Sequence, residues 1–172
     1  MPRQQVETYL GNVNVKKDGV QQDWTKEEIV EYQKCFDDPV YFTQNYVQIV
    51  SLDEGLVPFS LYPYQKQMFE HFNDNRFSIV LACRQSGKSI SVCAYLLWYV
   101  LFNPEKTVAI LANKGQVARE MLARVTLMLE NIPFFLQPGC KALNKGSLEF
   151  SNNSRIIASA TSGSSIRGLS VS

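Results

Sequence analysis

The chain has 172 residues, 45% of them hydrophobic, which is enough for one domain with a real core. A formal net charge of +1 excludes a polybasic or strongly acidic character, so any contact with nucleic acid must come from a local patch. The four cysteines (Cys35, Cys83, Cys93, Cys140) form no C-x-x-C pair and His71 is the single histidine, which argues against a zinc site and for reduced thiols in a cytoplasm.

Met1 to Leu10 is polar and shows no secretory signal. Residues 1–22 read as a loose N-terminal arm. Thr25 and Glu28 have the spacing of a capping box, with Trp24 and Ile29 at the two staple positions, so a helix is expected from 25 to about 36. Pro39 opens a second helix through Val40, Tyr41, Phe42 and Tyr46. Residues 23–58 therefore read as a small helical subdomain ahead of a core at 59–172. Asp53-Glu54-Gly55 punctuates the chain, and Pro63 begins a third helix to about Asn73.

Phe77 to Ala82 is short, apolar and flanked by polar residues, the pattern of a buried strand. Ser89 to Phe102 is apolar almost all round and suits a helix inside an α/β core; its apolar run from Val92 is too short to span a bilayer. Thr107 to Ala112 predicts a second buried strand. After a turn at 113–116, a helix to about Asn131 sets Val117, Met121, Val125 and Met128 on one face, and Glu120 is placed to pair with Arg124. Two strands joined by such a helix predict a parallel, right-handed βαβ unit. Gly146 to Phe150 and Arg155 to Ser159 flank Ser151-Asn152-Asn153-Ser154 as a hairpin.

Ala82-Cys83-Arg84-Gln85-Ser86-Gly87-Lys88-Ser89 fits G-x-x-x-x-G-K-[ST], with alanine at the first glycine. Gly87 permits a tight turn that aims amides at an anion, and Lys88 brings a charge to the β- and γ-phosphates. Ser89 can ligate Mg²⁺, and the new helix adds its positive end. The position between a strand and an apolar helix favours ATP over an ordinary turn. Arg84 could reach phosphate oxygens or a neighbouring subunit's nucleotide, or be a solvated loop charge. Gln65 could read the edge of adenine with Tyr64 or Tyr62 stacked on the ring, or be an exposed helix residue.

Val50-Ser51-Leu52-Asp53-Glu54 mimics an apolar run ending in the Asp-Glu pair of many ATPases, but it precedes the phosphate loop and Gly55 follows it, so it reads as a loop. No other apolar run ends in a carboxylate, and the general base is missing. His71 reads as a surface or satisfied residue. Asn113, Lys114 and Gln116 follow the second strand at the sheet edge that usually binds ligands, where they either touch DNA or cap the next helix.

From about Trp24 onward the chain resembles the large terminase subunit of tailed bacteriophages, nearest to those of contractile-tailed phages. The marks are Leu61 to Phe69, Ala82 to Ser89 with its internal arginine, Ala109 to Gly115, Leu136-Gln137-Pro138-Gly139, Asn144 to Glu149 and Ser165-Ile166-Arg167-Gly168. The resemblance implies a DNA-packaging ATPase in the host cytoplasm, on a P-loop three-layer αβα core with a mainly parallel sheet. It implies ATP and Mg²⁺ as cofactors, with Gln65 at adenine, Arg84 and Lys88 at phosphates in catalytic roles, Gln85, Ser86 and Gly87 around them, and Ser89 at the metal. It further implies double-stranded DNA, a portal protein and a small terminase subunit as partners, a homo-oligomeric motor and no membrane. Arg167 matches a family position.

In the family, an Asp-Glu pair, a coupling motif and a nuclease follow. Ser172 precedes them, so the chain reads as a fragment with an incomplete sheet, weak turnover and poor solubility. Two other readings are a superfamily-two helicase, whose usual Thr-Gly is replaced here by Arg84 and Gln85, and a non-enzymatic module that binds DNA or a portal.

Overall fold

The computed structural model describes residues 8–51 and 53–161. The apolar pattern yields an α/β arrangement with five helices and three small sheets. A β-hairpin of β1 (Thr8–Tyr9) and β2 (Asn12–Lys16) comes first. The expected loose arm is thus in part a hairpin, with Val15 and Lys16 buried.

Helices α1 (Lys26–Asp37) and α2 (Pro39–Tyr46) follow as their caps dictate. Thr25 Oγ1 accepts from Glu28 N and Glu28 returns the bond to Thr25 N, the expected capping box. Trp24 does not staple on Ile29, which is exposed; its ring meets Tyr32 and Phe135 edge-on. Asp38 caps α2 through Val40 N at 2.7 Å. The next element is a second hairpin, β3 (Gln48–Ser51) and β4 (Gly55–Pro58), which the sequence reading missed. Asp53 and Glu54 occupy its turn, where Ser51 Oγ accepts from both of their amides.

Helix α3 (Pro63–Asp74) begins at its proline. Helix α4 (Lys88–Phe102) is buried along most of its length, as its all-round apolarity requires, and Trp98 Nε1 donates to Cys35 O at 2.8 Å to tie it to α1. Strand β5 (Thr107–Ala112) and helix α5 (Gly115–Glu130) stand where expected. The buried stripe of α5 is Ala118, Leu122, Val125, Met128 and Leu129, and Val117 is exposed. A 3₁₀ turn (Phe134–Leu136) leads into β6 (Cys140–Leu143), β7 (Ser147–Phe150) and β8 (Arg155–Ala160).

The main sheet runs β5-β8-β7-β6 and is mixed, not mainly parallel. Only β5 and β8 are parallel, because β6, β7 and β8 are joined by short turns that force antiparallel pairing. Helix α5 packs on β5 and β8, and α4 packs on α5. The segment 77–82 corrects the expectation most sharply. It forms no strand, and Phe77, Ile79 and Leu81 are 82%, 97% and 100% exposed. A strand needs a neighbour for its amides and carbonyls, and none of the described strands lies along this segment. The predicted βαβ unit through α4 is therefore absent from the described residues, and β5 takes β8 as its parallel partner.

Candidate functional site

The chain turns from residue 82 into α4 through two left-handed residues, Gln85 at φ 61° and Gly87 at φ 75°. Glycine adopts that conformation freely, whereas glutamine does so only under constraint, and such constraint concentrates at functional loops. Gly87 also serves as the N-cap of α4, and no side chain caps this end. The first backbone bond of the helix runs from Ser91 N to Gly87 O, so the amides of Lys88, Ser89 and Ile90 have no partner within the helix. Free amides and the helix dipole make this turn an anion seat.

The loop is braced from inside. Lys88 Nζ and Ser86 Oγ both donate to Cys83 O at 3.0 Å. It is also braced by α3, where Tyr64 Oη donates to the Ser86 carbonyl. Gln65 is 2% exposed, contrary to the reading of an exposed helix residue. Its Oε1 accepts from Tyr62 N at 2.8 Å, and its Nε2 lies where a Cβ on Gly87 would come within 2.8 Å. Tyr62 and Tyr64 are exposed and stack on each other, with centroids 5.9 Å apart and planes 9° off parallel. Leu61 to Gln65 and the loop thus form one unit.

A cavity of about 570 Å³ opens at the loop. Gln85 to Ile90 form one wall, Gln48, Ile49 and Val50 of β3 another, and Arg124, Leu127 and Met128 of α5 a third. The expected residues Gln85, Ser86, Gly87, Lys88 and Ser89 all line it; Tyr64, Gln65 and Arg84 do not. Arg84 is exposed on the loop. The wall from β3 was legible only as a β-branched run before Asp53-Glu54-Gly55, a hairpin signal.

The cavity has the right chemistry for a triphosphate: backbone amides, an ammonium group and a hydroxyl, with a glycine where a Cβ would collide. No carboxylate lines it among the described residues, so a Mg²⁺ ion there would be held by Ser89 and by the phosphate oxygens it arrives with. The described residues hold no cluster of metal-ligating side chains elsewhere.

Asn113 and Lys114 connect β5 to α5, and the Lys114 side chain makes no capping bond. His71 is exposed in the last turn of α3, its ring beside Asn75 Nδ2 at 3.2 Å. Arg167 lies outside the described residues. No described helix is long and apolar enough to cross a membrane. Residues 79–172, more than half of the chain, match the family model for the terminase large subunit, T4likevirus-type, N-terminal part.

Proposed function

The chain belongs to the family of large terminase subunits, as their N-terminal part, and on that premise we propose that it binds ATP with Mg²⁺ at the loop Ala82–Ser89. The observation that carries the reading is the pair of left-handed residues, Gln85 and Gly87, immediately before uncapped α4. Such a turn collects amides around an anion. Lys88 exchanges its bond to Cys83 O for the β- and γ-phosphates, and Ser89 helps hold the metal ion. Gln65 and Tyr64, already joined to the loop, read the base. On this reading the segment belongs to a P-loop core, although among the described residues no strand immediately precedes the loop and the sheet is mixed.

In this reading the bound ATP powers movement of double-stranded DNA into a capsid. The chain works in the host cytoplasm as one copy in a homo-oligomeric motor, with a portal protein and a small terminase subunit. In this reading Asn113 and Lys114, exposed between β5 and α5, touch the DNA. The exposure of Arg84, outside its own loop's cavity, favours a role on a neighbouring subunit's nucleotide.

The test is a titration of the chain with fluorescent ATP and Mg²⁺. Saturable binding that disappears in Lys88→Ala is expected. An absence of saturable binding would leave the module that binds DNA or a portal without nucleotide, and strand separation would favour the helicase.

A further inference from the structure

Together with Arg119, Arg124 is one of two cations on α5. The carboxylate four residues before it, Glu120, is its natural helical partner. In the structure Glu120 instead accepts from Gln116 Nε2 at 3.1 Å, and no ion pair joins it to Arg124. The other acid near that end of the helix, Glu130, accepts from Asn12 Nδ2 at 2.8 Å. Arg124 instead lines the cavity at the phosphate loop, together with Lys88. These two cations are the only charged residues in the described lining, and no acid balances them there.

A guanidinium with no carboxylate partner, lining the same cavity as a second cation, raises the local potential and favours an anion. Arginine suits this task because its planar fork meets two phosphate oxygens at once. We infer that Arg124 is a second cationic ligand of the polyphosphate, presented by α5 to the same nucleotide that Lys88 binds from α4. The inference rests on the ATP reading above and adds a residue that no part of the loop motif contains. It also gives α5 a direct connection to the bound nucleotide, so that occupancy is sensed by the helix that packs on β5 and β8.

The experiment compares the wild-type chain with Arg124→Gln, Arg124→Lys and Lys88→Ala in the fluorescent ATP titration. Inorganic tripolyphosphate and adenosine serve as separate competitors. Circular dichroism and melting establish that each variant is folded, which the exposure of Arg124 makes the expected result. Arg124→Gln should weaken ATP and tripolyphosphate by roughly tenfold, the effect of one charge-assisted phosphate contact, and leave adenosine unchanged. Arg124→Lys should recover part of the loss.

If Lys88→Ala loses ATP while Arg124→Gln binds it as tightly as wild type, the role of Arg124 is overturned and the ATP reading stands. Equal weakening of adenosine and tripolyphosphate would mark general damage and also overturn it. If the wild-type chain fails to bind ATP, the ATP reading falls first and the inference with it.

Discussion

Gln65 packs against Gly87 so closely that a methyl group added to the glycine would come within 2.8 Å of the Gln65 amide nitrogen. Gln65 cannot simply swing away, because it is buried and its oxygen holds the amide of Tyr62 at the start of α3. Gly87 is also left-handed at φ 75°, where an alanine costs roughly 1–2 kcal/mol. Gly87→Ala should therefore lower the melting temperature by several degrees and remove ATP binding. Calorimetry and the ATP titration check the two effects separately. A variant that binds ATP normally would show that the close approach of α3 is not needed by the loop.

Cys83 is the exposed thiol of the loop, and the other three cysteines are buried. Burial raises their thiol pKa values, to about 12 for Cys35 and to about 11 for Cys93 and Cys140. A thiol reagent should modify one cysteine quickly in the native chain and all four in denaturant. The Cys83 carbonyl holds both Lys88 and Ser86, so ATP bound as proposed would draw Lys88 from it and cover the loop beside Cys83. Saturating ATP and Mg²⁺ should slow the fast reaction by roughly tenfold, in line with occupancy. Mass spectrometry of the labelled chain reads this directly. Labelling at an unchanged rate would separate Cys83 from the binding site.

Elements specified by local chemistry were legible in the sequence. Thr25 and Glu28 mark the start of α1 within four residues, and Gly87-Lys88-Ser89 announces the turn into α4 by residue type alone. Features that depend on distant partners were not. The apolar run at 77–82 has a strand's composition but no described neighbour to pair with, so it forms no strand and stays largely exposed. Gln48 to Val50 gained a role because the β3–β4 hairpin folds beside a loop far along the chain. Spacing alone pairs Arg124 with Glu120, but in the fold Glu120 accepts from Gln116 instead.

Gln137 joins segments that no local pattern connects. Its Nε2 donates to Asn14 O, Leu129 O and Ile132 O at 3.0, 3.1 and 2.9 Å, and its Oε1 accepts from Lys16 N at 3.0 Å. Gly139 completes the junction, since a Cβ there would lie 2.7 Å from Asp18 Cα. The Leu136-Gln137-Pro138-Gly139 run is therefore a dock for the N-terminal hairpin. Gln137→Leu keeps the volume but leaves the Lys16 amide and the Ile132 carbonyl without their side-chain partner, at a cost of about 3 kcal/mol. The melting temperature should fall by roughly 6–12 °C. Trypsin should cut selectively faster after Lys16 and Lys17, which a general loss of stability would not produce.

Glu31 anchors α1 to α2 through hydrogen bonds that depend on its ionised form. Its Oε1 accepts from Tyr41 Oη at 2.5 Å and Tyr46 Oη at 2.9 Å, and its Oε2 accepts from Lys34 Nζ at 3.0 Å. The bond from Tyr41, then those from Lys34 and Tyr46, hold the carboxyl down at about 2, against 4.5 in an ordinary glutamate. The folded chain thus binds fewer protons than the unfolded chain between these values, and stability falls as the pH drops. The contribution of Glu31 should be complete above about pH 4.5 and should vanish progressively toward pH 2. Glu31→Gln should melt earlier at pH 7 and show a shallower decline through that window. The two melting curves should converge near pH 2; parallel curves across the range would show that these three bonds do not govern the ionisation.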